Sequence, residues 1–102
     1  MREPEYRIRV PLLIQSGGAD DWTPARHCEA LVEKFSGRGS PMQIDVYPGA
    51  HHAFDGVGAI RVRPDVRNLA SETGWGATVG ANAAARAQAF QRTTDWVAER
   101  NR

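Results

Sequence analysis

Two pairs of adjacent polar residues in this 102-residue sequence could carry out acid–base chemistry together. Asp20 and Asp21 lie in the stretch GGADDWTP, and His51 and His52 lie in the stretch YPGAHHAF. A carboxylate that accepts Nδ1–H from an imidazole fixes the tautomer of the histidine and stabilises the imidazolium that forms on protonation. The residue types therefore predict an acid–histidine pair, provided that the fold brings the two stretches together.

The sequence around these stretches predicts an α/β fold. The apolar run VPLLIQ indicates a strand over about 9–16 that is buried on both faces, and the alternating MQIDVY indicates a strand over 42–47 with a more polar second face. Helical spacing of apolar residues predicts helices over about 24–36 and 82–100. The segment 55–80 is rich in Gly and Arg and has no sustained period, so it is expected to be a long, partly mobile loop.

The two predicted helices have recognisable starts and apolar faces. Thr23 can cap the first helix with Pro24 in its first turn, and Asn82 can cap the second. The faces expected to pack on the sheet consist of Cys28, Leu31, Val32 and Phe35 on the first helix, and of Ala83, Ala87, Phe90, Thr94 and Val97 on the second.

The order of the predicted elements explains how the polar pairs can meet. Strand, helix and strand within about 40 residues form a βαβ unit, whose two strands run parallel. Asp20 and His52 each follow the C-terminal end of one of these strands. Because ligands bind outside the carboxyl ends of parallel strands, both residues should lie at the same edge of the sheet.

Length, charge and cysteine count indicate the general class of protein. The length fits one domain, and the net charge of +1 with scattered acidic and basic residues gives no indication of nucleic acid or membrane partners. The single cysteine excludes an internal disulfide. No apolar window is long enough to span a membrane, and MREPEYRIR is not typical of a signal peptide, so a cytoplasmic location is expected.

Three longer stretches carry a family resemblance. SGGADDWTP, VYPGAHHAFD and VRNLASETGWGATVGANAAA together resemble the C-terminal part of the dienelactone hydrolase family of α/β-hydrolases. The resemblance covers nearly all of 1–102 and implies a single partial hydrolase domain. It implies that Asp20 is the acid and His52 the histidine of a catalytic triad, with Asp21 and His51 at variable positions. It also implies a small-molecule ester or lactone substrate and no cofactor.

The nucleophile of that family is not recognisable in these 102 residues. The family carries a cysteine or serine on a strand-to-helix elbow of the form Gly-x-[Cys/Ser]-x-Gly, with the oxyanion-hole donors also upstream of the acid. The nearest stretch, GRGSP at 37–41, lacks the second glycine and falls between a helix and a strand. The isolated chain is therefore expected to be an inactive hydrolase fragment; the alternative is a non-catalytic structural or interaction module derived from a truncated hydrolase.

The open edges of the predicted two-stranded sheet indicate that the chain binds a partner. Such a sheet leaves unpaired N–H and C=O groups along both outer edges, and helices cover faces rather than edges. A homodimer that continues the sheet, or association with a missing N-terminal portion, would cover these edges.

The residues of the two polar pairs also have structural interpretations. Asp20 could cap a turn or the following helix, and His52 could be an ordinary surface histidine. Asp21 and His51 are expected to be solvated or to support their neighbours.

Other polar and aromatic residues near the pairs leave alternatives open. Cys28 lies on the apolar face of a helix and is expected to be a packed small side chain rather than a displaced nucleophile. Trp22 could line a substrate pocket or pack in the core. No metal site is predicted, because no recognised zinc spacing occurs among Asp20, His27, Cys28, His51 and His52.

Overall fold

The computed structural model describes residues 9–101, which form a mixed α/β fold. Residues 1–8, for which the sequence predicts no signal peptide, lie outside the described residues, as does Arg102. Neither helix in the described part is long and apolar enough to cross a membrane. The elements are β1 (Leu12–Gly17), α1 (Ala25–Phe35), β2 (Met42–Tyr47), β3 (Arg61–Arg67), β4 (Trp75–Val79) and α2 (Ala83–Arg100).

The first three elements form the predicted βαβ unit. β1 and β2 pair in parallel, from Leu12 opposite Met42 to Gly17 opposite Tyr47, and α1 packs against both strands. β1 begins at Leu12 rather than near residue 9, because Pro11 has no N–H to donate to a ladder. The parallel pairing confirms that both strands end at the same edge of the sheet.

The expectation that β1 is buried on both faces is wrong. The side chains from Leu12 to Ser16 are only half-buried, and β2 is the one strand paired with β1 within residues 9–101. A two-stranded sheet has too few neighbouring elements to enclose a central strand. β1 therefore behaves as an edge strand despite its apolar sequence.

The start of α1 differs from the predicted cap. Pro24 occupies the N-cap position, and no side-chain hydrogen bond caps the helix, because the Thr23 hydroxyl bonds to Asp20 instead. The predicted apolar face is partly confirmed: Phe35 is buried, Cys28 and Val32 are half-buried, and Leu31 is exposed.

Between residues 55 and 80 the structure contains an antiparallel hairpin where the sequence predicts a long loop. β3 and β4 pair with a register shift between Arg63 and Arg67, around Pro64. Most β3 side chains are exposed on both faces of this ribbon, so the sequence RVRPDVR has no alternation of polar and apolar residues. The proline and arginine residues of β3 therefore gave no strand pattern in the sequence. β3 is stabilised by its pairing with β4 and not by a buried face of its own.

α2 begins at the predicted cap but presents a different face to the sheet. The Asn82 side chain accepts a hydrogen bond from the Ala85 amide at 3.1 Å. The buried residues of α2 are Ala85, Ala89 and Trp96, whereas the predicted face of Ala83, Ala87, Phe90, Thr94 and Val97 is exposed.

Polar side chains on the sheet explain this rotation of α2. Arg92 Nε donates to Asp45 Oδ2 at 2.9 Å, and an Arg92 guanidinium nitrogen also donates to Gln43. Gln15 Nε2 donates to Thr93 Oγ1 at 2.8 Å. α2 therefore lies over the face of the sheet that carries Gln15 and Asp45, and its contacting face combines small residues with hydrogen-bonding ones.

The core lies where the chain following β2 meets α2. Its buried cluster consists of Tyr47, Ala50, Phe54, Ala85 and Ala89. Tyr47, expected on the more polar face of β2, is buried because its ring packs on Phe54 with centroids 5.4 Å apart and its hydroxyl donates to Gln15. The core thus forms directly beneath the histidine-bearing stretch.

Candidate functional site

The chain after β1 contacts the chain after β2 closely enough to require a glycine. A Cβ atom on Gly17 would lie 2.3 Å from the carbonyl oxygen of Ala50, a distance that no side chain tolerates. Two residues later, the Ala19 amide donates to the same Ala50 oxygen at 2.9 Å. The backbone therefore joins the two loops before the side chains of Asp20 and His52 make any contact.

The carboxylate of Asp20 accepts hydrogen bonds on both of its oxygens. Oδ1 accepts from the backbone amides of Trp22 and Thr23 at 2.9 and 2.8 Å, and Oδ2 accepts from the Thr23 hydroxyl at 3.0 Å. The side chain is only 8% exposed. Three donors from two residues of one tight turn thus fix the orientation of this carboxylate.

These donors keep Asp20 ionised. Burial by itself raises the pKa of the Asp20 carboxyl, but the two amides, the Thr23 hydroxyl and the nearby His52 together lower it below the usual 3.8. Asp20 is therefore an ionised hydrogen-bond acceptor at neutral pH.

The imidazole of His52 completes the pair. His52 Nδ1 lies 3.1 Å from Asp20 Oδ2, which confirms the expectation that the two side chains lie within hydrogen-bonding reach. An ionised carboxylate can only accept, so Nδ1 carries the hydrogen and donates it to Asp20. This tautomer leaves the lone pair on Nε2, and the ring is one-third exposed.

Trp22 packs beside the histidine. Its ring centroid is 4.7 Å from that of His52, with the two planes tilted by 42°, and its indole Nε1 donates to the Arg67 carbonyl at 3.0 Å. Immediately after His52, Ala53 has φ +63°, a left-handed conformation that costs a residue with a Cβ about 1 to 2 kcal/mol. The imidazole therefore packs against an indole, and the backbone immediately after it is strained.

An open cavity of about 1090 Å³ lies beside the pair. Asp20 and His52 both line it, so a bound molecule can reach the reactive groups. A cavity with apolar walls and a few polar groups is typical of small-molecule sites. Other side chains that line it are Trp22, Phe54, Leu69, Phe90, Arg26 and Arg86.

The second residue of each polar pair has a separate environment. Asp21 Oδ1 accepts from the Thr78 amide of β4 at 2.9 Å, so Asp21 contacts the hairpin and not the imidazole. His51 Nδ1 is buried and has no hydrogen-bond partner among the described residues. The structure thus brings together Asp20 and His52 and leaves Asp21 and His51 out of that pair.

The remaining candidates lie around the cavity. Cys28 is half-buried, is not in a disulfide, and lines the same cavity as His52. Within residues 9–101 no three His, Cys, Asp or Glu side chains are grouped so that they could hold a metal ion.

Sequence reasoning missed two polar residues at this site. The Thr23 hydroxyl donates to the Asp20 carboxylate, and its position three residues after Asp20 is the one signal that could have indicated this bond. Asn68 is buried between the β3–β4 hairpin and the turn at residues 20–23, called here the acid-bearing turn because it carries Asp20. No local pattern indicates Asn68, because the strands that surround it were not predicted.

Comparison with known proteins identifies a family. A sequence model of the dienelactone hydrolase family matches residues 3–100. No curated protein and no solved structure shows significant similarity to the chain.

Proposed function

Because this chain belongs to the dienelactone hydrolase family, we propose that Asp20 and His52 are the acid and the histidine of a triad that hydrolyses esters or lactones. The observation that carries the proposal is the 3.1 Å contact between His52 Nδ1 and Asp20 Oδ2. With Nδ1–H donated to a carboxylate, Nε2 is the nitrogen that can take a proton from a nucleophile.

The proposed reaction follows from this tautomer. His52 Nε2 removes the proton of a hydroxyl or thiol nucleophile, which attacks the carbonyl carbon of the ester or lactone. The resulting imidazolium donates that proton to the leaving oxygen, and Asp20 stabilises the imidazolium while it exists. Water, deprotonated in turn by His52, then releases the acyl group. The reaction needs no cofactor.

The nucleophile is proposed to come from outside these 102 residues. No Gly-x-[Cys/Ser]-x-Gly elbow occurs in the sequence, and a histidine with its acid provides only general-base help to water. We therefore interpret the chain as the C-terminal part of an α/β-hydrolase fold that supplies two of three triad members. By itself it should show no ester hydrolysis above that of free imidazole.

The surface next to the pair suits a segment that would supply the missing member. β1 has one unpaired edge within residues 9–101, and a strand added there in parallel would end at the same edge of the sheet as Asp20 and His52. On α2, Phe90 and Val97 are 76% and 50% exposed, and Phe90 lines the cavity. An added strand followed by a helix would cover both the edge and these apolar side chains.

A non-catalytic interaction module is the second candidate. The exposed apolar side chains of α2 favour it, as does the edge of β1 that no strand within residues 9–101 pairs with, because a second copy of the chain could equally cover both. In that case Asp20 and His52 would retain their geometry without a reaction to perform.

Hydrolysis of an activated aryl ester separates the two candidates. The 102-residue protein is assayed alone and after co-expression with the N-terminal portion of a dienelactone hydrolase that ends before its own triad acid. The proposal predicts no turnover for the chain alone and turnover for the purified complex, abolished by His52→Ala. A stable complex without turnover would favour the interaction module. Turnover by the chain alone that disappears in Cys28→Ser would identify Cys28 as a nucleophile.

A further inference from the structure

Asn68 is a buried polar residue whose side chain is fully hydrogen-bonded. It is 2% exposed and lies just after β3. Its Nδ2 donates to the carbonyl oxygens of Asp21 and Gly76 at 2.9 and 2.7 Å, and its Oδ1 accepts from the Ala70 amide at 2.9 Å. One carboxamide thus connects the acid-bearing turn to both sides of the hairpin.

Two further hydrogen bonds join the same turn to the same hairpin. The Asp21 carboxylate accepts from the Thr78 amide at 2.9 Å, and the Trp22 indole donates to the Arg67 carbonyl at 3.0 Å. These contacts fix the two residues that immediately follow Asp20. Trp22 also donates its backbone amide to the Asp20 carboxylate, so a shift of this backbone would move that carboxylate.

The hairpin holds the histidine as well. Val79 of β4 forms a parallel bridge with His52, and the Gly80 amide donates to the His52 carbonyl at 3.1 Å. The C-terminal end of β4 is therefore bonded both to the side chain of Asp21 and to the backbone of His52. A shift of the hairpin would therefore act on both loops that carry the pair.

We propose that Asn68 is a positioning residue for the Asp20–His52 pair, acting through the Asp21 carbonyl that it bonds to the β3–β4 hairpin. A buried carboxamide that satisfies two carbonyl oxygens cannot be replaced by water without opening the structure. The geometric part of this inference does not depend on hydrolysis; its consequence for catalysis rests on the proposed function.

The state of the His52 ring in the isolated protein tests the inference without any activity assay. Ring 15N and 1H resonances report which nitrogen carries the proton and how fast that proton exchanges with water. The three histidines are assigned with His27→Gln and His51→Gln. In the native chain, the Nδ1–H of His52 should be resolved and protected by its hydrogen bond to Asp20.

Two variants loosen the hairpin contact in different ways. Asn68→Asp keeps the shape but replaces the donor to Asp21 and Gly76 with an acceptor. Asn68→Ser replaces the two amide donors with one smaller, uncharged hydroxyl, so it decides the question if Asn68→Asp does not fold. Each is expected to raise the exchange rate of the Nδ1–H about fivefold, as for the loss of one net hydrogen bond, and to populate the Nε2–H tautomer.

Asn82→Ala is the matched control, because it removes an asparagine that caps α2 and has no side-chain contact with the acid-bearing turn. It should lower stability but leave the His52 resonances unchanged. The inference is overturned if Asn68→Ser, or a folded Asn68→Asp, gives native His52 spectra. It is also overturned if Asn82→Ala changes the His52 ring resonances as much as the Asn68 variants do, because the effect would then follow from a general loss of stability.

Discussion

The hydroxyl of Thr23 and the imidazole of His52 bind the same oxygen of Asp20. Thr23 Oγ1 lies 3.0 Å and His52 Nδ1 lies 3.1 Å from Oδ2, and the two atoms are 3.2 Å from each other. The carboxylate oxygen that orients the histidine is therefore shared with a donor from its own turn. Thr23 lowers the affinity of Asp20 for protons and also competes with His52 for this oxygen.

Removing the Thr23 hydroxyl should raise the pKa of Asp20. Thr23→Val keeps the shape of the side chain but deletes a donor to the ionised carboxylate, whereas both backbone amides remain in place. Thr23→Ser keeps the hydroxyl and is the control. A 13C NMR titration of the Asp20 carboxyl measures the change, and equal pKa values in the valine variant and the native chain would show that the hydroxyl has no such role.

The lowered pKa of Asp20 makes folding stability depend on acid. The folded-state pKa lies below the usual 3.8, so the ionised group contributes stability that is present above 3.8 and is lost as the pH falls through the folded-state pKa. Urea unfolding between about pH 2 and 6 should therefore show a weaker loss of stability with acid in Asp20→Asn. The same acid dependence in this variant and in the native chain would contradict the assignment.

Gly17 should tolerate no side chain. A Cβ there would meet the Ala50 carbonyl at 2.3 Å and push apart the two loops, so we expect Gly17→Ala to reduce the free energy of unfolding by about 2 to 3 kcal/mol. Gly37→Ala is the control: its φ of +80° is unfavourable, but a Cβ would have no atom within 4 Å, so a loss of only about 1 kcal/mol is expected. Denaturant melts compare the two variants.

The exposed apolar face of α2 predicts self-association of the isolated chain. Light scattering after size exclusion at micromolar concentration should give a mass above the 11.2 kDa of one chain. Phe90→Glu places a charge on the exposed face and should shift the protein toward monomer, whereas Gln88→Glu adds the same charge elsewhere on α2 and should not. A well-folded native monomer would show that the chain needs no such contact.

The βαβ unit and the acid–histidine pair could be predicted from the sequence because their signals are local. An apolar run marked β1, alternation of apolar and polar residues marked β2, and helical spacing marked α1. The parallel order of the strands then required Asp20 and His52 to lie at one edge. The assignment of each catalytic candidate within its doublet came from the family resemblance, since spacing alone does not distinguish Asp20 from Asp21.

The hairpin and the orientation of α2 could not be predicted because partners at long range determine them. The β3 sequence has no buried face to produce a pattern, and its hydrogen bonds come from β4 and from the acid-bearing turn. On α2, the apolar residues Phe90 and Val97 suggested a buried face. Arg92 instead faces the sheet and bonds to Asp45, so Phe90 and Val97 are exposed.

Asp20 and His52 are proposed to do the chemistry, and their neighbours Asp21 and His51 supply matched controls. In the complex with a nucleophile-bearing N-terminal portion, kcat for an aryl ester is measured for His52→Gln against His51→Gln and for Asp20→Asn against Asp21→Asn. We predict that His52→Gln and Asp20→Asn each lower kcat by about a thousandfold or more. His51→Gln and Asp21→Asn should leave kcat within about threefold of the native value. Equal losses within a doublet, or near-native activity in His52→Gln, would contradict this prediction.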